Sequence, residues 1–312
     1  MLQIAAELAE FEHWFSPHFA DGFLGMAQRL GFLDFTTPGK KWVNRILSVL
    51  KSRNVKIDYR GRRGPYALIV FPTDLIVPSM IRRTPSVLVQ EGMTDPESAT
   101  FTLIRRLPFL PRWLASSAAY GLSDAYSAIC VASEGYRELF VKKGVRREKI
   151  RVTGIPGFDR IVEAKPRPEE GKGYVLVCTS DARENYRYEN RKAFIRRAMK
   201  IAAGRPVVFK LHPNEKLDRA WNEIRRHAPT AEIIMSGKAE DLVPECSVLI
   251  TKWSTVAYTG LALGKEVYSD FPLEQLKQLM PVQNGRAARE IAAVCREVLG
   301  VEEPELVPEV AP

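Results

Sequence analysis

Short runs of continuous apolar residues alternate along the chain with stretches of helical periodicity. In the first half YALIVF (66–71), SVLVQEG (86–92), SAICVAS (127–133) and KIRVTG (149–154) read as strands. Their near-unbroken apolar character is that of strands buried on both faces of a parallel sheet. GYRELFVKKG (135–144) reads as an amphipathic helix closed by Gly144. The Pro-, Gly- and charge-rich stretch EAKPRPEEGKG (163–173) interrupts the rhythm and reads as a linker. The alternation then restarts. GYVLVCTS (173–180), PVVFKLHP (206–213), AEIIMSG (231–237), SVLITKWST (247–255) and KEVYSDF (265–271) are the predicted strands. Helices are predicted over 186–203, 217–228, 256–264 and 286–300, with a short helix at 240–246. The tail VEEPELVPEVAP is acidic, proline-spaced and reads as frayed.

The pattern predicts an α/β chain of two doubly wound, Rossmann-like halves, 1–160 and 161–300, followed by a tail, 301–312. The 312 residues suit two domains of roughly 150 residues each. Open parallel sheets bind ligands beyond the carboxyl ends of their strands. The strand ends are therefore the site candidates, and a cleft between two such halves is the expected place for a ligand.

Composition narrows the partners. The chain is 46% hydrophobic and 27% charged, which is a globular balance. Its net charge of +9 favours anionic partners such as nucleotides, phosphorylated lipids or a membrane surface. Cys130, Cys178, Cys246 and Cys295 are far apart, without CxxC or zinc spacing, and read as free thiols in a reducing compartment. MLQIAAELAEFEHWF lacks the basic start of a signal peptide, and no apolar run nears the ~18 residues of a spanning helix. The expected location is cytoplasmic, at or near the inner face of the membrane. FTLIRRLPFLPRWLASSAAYG (101–121) interleaves Arg105, Arg106 and Arg112 with Phe109, Leu110 and Trp113. It reads either as a segment lying on an anionic membrane or as a core helix with snorkelling arginines. RENYRYENRKAFIRRAMK (183–200) mixes cations and acids at helical spacing and reads as a solvated helix face. Nucleic-acid modules, P-loops, GxSxG and HExxH are absent, and no carboxylate cluster points to a catalytic metal.

Each strand end carries two readings. Lys210 and His212 could hold a diphosphate, or form a surface loop with His212 packed on Pro213. Ser254 and Thr255 precede a helix and are natural caps, at a place that also suits phosphate. Gly154 permits a sharp turn or close approach to a ligand, and Asp159 caps the next segment. Thr179, Ser180 and Asp181 offer phosphate ligands or a local turn. Glu91, before Gly92, is a candidate general base tuned upward by partial burial, or a capping or ion-paired acid. Asp95 is the second candidate base, or a turn former before Pro96. His13 and His18 either line a loop or pack among aromatics.

In order, QEG (90–92), SEGYRELFVKKGVRREKIRVTGIPGFD (133–159), KLHP (210–213) and TKWSTVAYTGLALGKEVY (251–268) resemble the GT-B glycosyltransferase superfamily. The nearest cluster is that of bacterial CDP-glycerol glycerophosphotransferases, capsule polysaccharide transferases and sialyltransferases. UDP-N-acetylglucosamine 2-epimerases are more distantly similar. The resemblance covers roughly residues 66–290. It implies a GT-B fold and a metal-independent inverting transferase with no cofactor. The second domain would take a nucleotide-sugar or CDP-polyol donor, and the first a glycan or lipid-linked acceptor. His212-Pro213 matches the HP motif that contacts donor phosphate, with Lys210 adding positive potential. Ser254 and Thr255 match the paired hydroxyls at the donor phosphate, and Gly154, Thr179 and Ser180 complete the donor side. Glu91 sits in the acidic-acidic-Gly motif that supplies the base, with Gly92, Asp95 and His18 on the acceptor side. Here that motif reads Gln90-Glu91-Gly92, with one acid missing, and no glycine-rich loop opens the chain before Gly22. A UDP-sugar epimerase and a non-catalytic binding or scaffold module are the alternatives.

Overall fold

A computed structural model describes residues 1–32, 39–107, 109–159, 161, 173–185 and 187–302. The expected linker, apart from Gly173, and the tail beyond residue 302 lie outside the described residues. The chain divides into two compact units, Met1–Pro156 with Arg286–Pro312, and Gly157–Gly285.

The first unit opens with α1 (Leu2–Ala6), α2 (Gly22–Arg29) and α3 (Lys40–Ser52). It continues through β1 (Ile69–Phe71), α4 (Ser79–Arg83), β2 (Ser86–Val89), α5 (Ala99–Arg106), β3 (Ala128–Val131), α6 (Glu134–Lys143) and β4 (Ile150–Val152). Its four strands are parallel and lie in the order β1-β2-β3-β4. β2 and β3 are buried along their whole length, as their apolar runs require. Ser133 caps α6 by accepting the Tyr136 N–H, and Gly144 ends it at φ +110°, where only glycine sits without strain.

The second unit contains β5 (Val175–Cys178), α7 (Arg191–Ala202), β6 (Val207–Lys210), α8 (Leu217–His227) and β7 (Glu232–Ile234). β8 (Val248–Ile250), α9 (Val256–Ala262), β9 (Glu266–Tyr268) and α10 (Leu273–Gln278) complete it. Its strands are also parallel, in the order β7-β6-β5-β8-β9. Val175, Val177, Phe209, Ile195, Ala198 and Ile224 form the centre of a core beneath α7 and α8. Gly260 lets α9 press onto the sheet. A Cβ there would lie 2.6 Å from a Leu249 methyl and 2.8 Å from a Val267 methyl.

The last helix, α11 (Ala287–Leu299), corrects the expected division. Read as part of the second half, it packs instead on α1, β2 and β3 of the first unit. Its stripe of Ala288, Ile291, Ala292 and Cys295 meets Val87, Val89, Ala128 and Cys130, with Ile4 and Leu8 alongside. Arg296 fixes the contact by donating to Glu10 Oε1 and to the Glu7 carbonyl, at 2.8 and 2.7 Å. Helical periodicity shows that a face is buried but not which sheet buries it. All four cysteines are free and buried. Among the described residues no helix is long and apolar enough to cross a membrane.

Candidate functional site

In the second sheet the strand order reverses at β5. The chain runs from β5 outward through β6 to β7, then resumes on the other side at β8. Loops leaving β5 and β8 therefore turn opposite ways and leave a crevice at their carboxyl ends. Thr179–Asp181 and Thr251–Thr255 border it, and the loop after β6 joins them through hydrogen bonds to the β5 loop.

That third loop is built on buried charge. The His212 N–H is shared between Thr179 Oγ1 and Glu215 Oε2, both at 3.0 Å. Thr179 Oγ1 in turn donates to Glu215 Oε2. Glu215 Oε1 receives the Arg191 guanidinium at 2.5 Å, and Arg191 also pairs with Glu189 at 2.9 Å. The side chains of Arg191, Glu189 and Glu215 are 2%, 0% and 1% exposed. A buried acid of this kind requires its cation, because an unpaired carboxylate out of water is costly. Arg191 further donates to the Ser180 carbonyl at 2.9 Å, tying α7 to the end of β5.

On this support stands His212, partly exposed at 36%. Its Nδ1 accepts the Asn214 N–H at 3.3 Å, so in the neutral ring the proton belongs on Nε2. Nε2 makes no hydrogen bond to any described residue. Asp181 Oδ2 lies 3.6 Å from Nδ1 and accepts from Asn214 Nδ2 at 3.0 Å. The ring is thus oriented from one side and open on the other, and a protonated ring would have a carboxylate at hand.

Three sequence-predicted donor ligands turn inward. The Lys210 ammonium is buried and donates to the Leu211 carbonyl at 2.9 Å. The hydroxyls of Thr179 and Ser180 are engaged by Glu215 and Glu189. The contact of Thr179 with Glu215 ties the β5 and β6 loops together. Gly154, at φ +78°, is a buried turn of the first unit, and its N–H is held by the Val131 carbonyl at 3.2 Å. Pro213 is exposed beside His212. Ser254 and Thr255 are half-buried at the start of α9, with Ser254 Oγ accepting the Val256 N–H at 3.4 Å. Before them Trp253 is 42% exposed, its ring edge-on to Phe271 with centroids 4.9 Å apart.

In the first unit Glu91 stands exposed at the end of β2. Protein packed around its carboxyl nevertheless raises it above the ordinary carboxylate value, with the Met1 amino terminus pulling the other way. Gln90 is buried and clamps the turn. Its Oε1 accepts the Ala132 N–H at 2.9 Å and its Nε2 donates to the Gly92 carbonyl at 2.8 Å. An ionised acid could accept there but not donate, which explains an amide where the motif has a second acid. Asp95 is tied to Ser117, whose Oγ donates to it at 2.7 Å. His18 bonds the Ile76 backbone, and burial lowers its pKa to about 4. His13 Nε2 bonds the Leu8 carbonyl at 2.8 Å. Segment 101–121 is divided: Phe101, Ile104, Ala115, Ala118 and Ala119 form a small core, while Leu103, Phe109 and Leu114 are exposed. Among the described residues no three His, Cys, Asp or Glu side chains are grouped to hold a metal ion.

Sequence reasoning missed Arg191, Glu189 and Glu215 as a unit. The one local signal was Glu215 itself, an acid at the close of a loop that leaves a buried strand. Arg191 was read within a solvated helix face, whereas it occupies the first turn of α7 and points beneath the β5 loop.

No protein-family model matches the chain, and no curated protein matches it. Solved structures do. A variant of the wall teichoic acid polymerase TagF aligns at a TM-score of 0.51 and 11% identity, over 79% of this chain and 78% of that one. A UDP-N-acetylglucosamine 2-epimerase aligns at 0.50 and 14%, over 96% of this chain and 92% of that one. At such identities the likeness is one of fold. The two parallel sheets, each a Rossmann-like unit, give this chain the GT-B-type fold of those structures.

Proposed function

We propose that the protein is a metal-independent GT-B transferase. It moves a sugar or polyol phosphate from a nucleotide-activated donor to a cell-surface glycan or its lipid-linked precursor. The observation that carries this reading is His212. Its outward Nε2–H sits on a buried ionic support at the strand-order reversal of the second sheet. As the bond to the nucleotide breaks, that N–H offsets the charge growing on the leaving phosphate. Ser254 and Thr255 lie on the crevice border to receive the same phosphate, beside Pro213. Glu91, with its raised proton affinity, takes the proton of the acceptor hydroxyl as that oxygen bonds to the transferred group. Gly92 shapes the turn that carries it.

The similarity to an epimerase structure favours a second reading, a UDP-sugar 2-epimerase-like isomerase. Interconversion of UDP-N-acetylglucosamine without any acceptor identifies it. The first test is thermal stability against UDP, CDP, CMP, GDP and ADP, with EDTA and then with magnesium. A ligand at 100 times its Kd adds about 2.7 kcal/mol. A shift with one pyrimidine nucleotide in EDTA is expected and names the donor class. No shift with any nucleotide overturns the reading in favour of a binding or scaffold module.

A further inference from the structure

The first unit holds a cavity of about 360 Å³ that none of Glu91, Gly92 and Asp95 lines. Gly22, Gly25 and Arg29 of α2 form one wall, and Arg60 and Arg62 another, with Ser79 at the edge. Three arginines thus line it with one acid, Asp21, and that acid already accepts the Ser79 N–H at 2.5 Å. No carboxylate among the described residues pairs with Arg29, Arg60 or Arg62.

The arginines are presented by a constructed turn. Asp58 accepts the N–H groups of Arg62 and Arg63 at 3.0 and 2.8 Å, and Gly61 N–H returns to the Asp58 carbonyl. Arg60 and Gly61 both take positive φ, +73° and +61°, which Gly61 adopts freely and Arg60 does not. Gln28 Oε1 steadies Arg60 from α2 at 3.1 Å. Arg60 Nε is closed to solvent with no hydrogen-bond partner, so the guanidinium is desolvated on that edge and its charge is less screened. Gly25 allows the close wall: a Cβ there would lie 2.7 Å from the Ala20 carbonyl oxygen.

α2 carries a second surface beside this one. At 100° per residue Gly22, Gly25 and Arg29 share one flank, and Phe23, Met26 and Leu30 the next. Those three are 77%, 47% and 65% exposed, and Phe32 beyond them is 70% exposed. Leu24 and Ala27 turn inward onto Ala20, Ile76 and Trp113. A tribasic cavity adjoining an apolar stripe fits a molecule with an anionic head and a hydrocarbon tail.

We propose that this cavity and stripe bind a phosphorylated amphiphile. Its phosphate or diphosphate lies among Arg29, Arg60 and Arg62, and its chain runs along Phe23, Met26 and Leu30. That the amphiphile is the lipid-linked acceptor rests on the transferase reading; the binding site itself does not.

Isothermal titration of the full chain with dodecyl phosphate below its micellar concentration tests this, against dodecyl maltoside and inorganic phosphate. Dodecyl phosphate is expected to bind at least tenfold more tightly than either. Arg60→Ala with Arg62→Ala should weaken it tenfold or more, to the level of the uncharged amphiphile. Phe23→Ser with Leu30→Ser should weaken it to the level of inorganic phosphate. Arg29→Gln with Arg62→Gln, both at exposed positions, repeats the charge test without touching the Arg60 turn. Equal binding of dodecyl phosphate and dodecyl maltoside, or undiminished binding by both arginine pairs, overturns the proposal. The nucleotide-induced thermal shift of the same variants should match wild type. A wild-type chain that binds dodecyl phosphate but shows no nucleotide shift counts against the transferase reading, and one that shows the nucleotide shift but does not bind dodecyl phosphate counts against this one.

Discussion

β1 to β4 lie side by side in the order the chain makes them, whereas the second sheet turns back on itself at β5. The difference has a physical consequence at the strand ends. Where the order reverses, neighbouring loops diverge, and the loop after β6 is held from below by a buried ionic cluster of Arg191, Glu189 and Glu215. Where it does not reverse, the loop after β2 closes over itself and needs only the neutral amide of Gln90. The first unit instead opens away from that turn, between α2 and residues 60–62. One unit thus has its candidate site where the sheet topology places it, the other a cavity formed by packing of a helix on a turn.

Three experiments probe that contrast. The largest effects are kinetic. Glu91→Ala should slow turnover by roughly 10²–10⁴-fold while leaving nucleotide binding nearly intact. His212→Ala should weaken nucleotide binding as well, and reduce kcat by about 10²–10³-fold. In wild type, kcat/KM should climb with pH through a carboxylate value above the ordinary 4.5, the direction in which burial moves Glu91. Equal and mild effects from both substitutions would remove the assigned roles.

Stability should separate the two supports next. Glu215→Ala leaves Arg191 without its shortest ion pair and should cost about 3–5 kcal/mol in urea unfolding. Gln90→Leu orphans the Ala132 N–H and the Gly92 carbonyl and should cost about 1–3 kcal/mol. Combining Glu215→Ala with Arg191→Met should cost less than the two single changes summed, because the pair is lost together. If Glu215→Ala costs no more than a surface change, the ionic cluster is not what holds the His212 loop.

The last effect vanishes at neutral pH and is confined to acid. Burial depresses His18 from 6.5 to about 4, so the folded chain holds the neutral ring. The unfolded chain takes up a proton first as pH falls. The stability linked to His18 is therefore complete above about pH 6.5 and is lost progressively toward pH 4. His18→Gln should flatten the urea midpoint over that window and not change its slope above neutrality. A slope unchanged below pH 6.5 would place the titration elsewhere.

Much of this was readable in the chain. Every predicted strand formed, because parallel strands covered on both faces leave near-continuous apolar runs. The same continuity hid Lys210: in VVFK all four positions are buried, so a cation at the strand end is drawn into the sheet whichever way it points. Thr179 and Ser180 read as phosphate ligands or a local turn because their hydroxyls end a buried strand. Their actual partners, Glu215 and Glu189, are 36 and 9 residues away. The contacts of Arg191 are likewise non-local, and a helical pattern of charge does not reveal which cation lies under a loop. The tribasic cavity was equally illegible, since Arg60 meets α2 at Gln28, 32 residues away in the chain.

The return of α11 to the first unit also orders events during synthesis. Val87, Val89 and Cys130 emerge from the ribosome long before Ile291 and Ala292, which cover them. At about 5–20 residues per second, the interval is on the order of 10–30 s. All of the second unit is made within that interval, and its core can close as soon as β9 and α10 have followed. The first sheet must wait with an apolar face uncovered, which makes it the part of the newborn chain with most need of a chaperone.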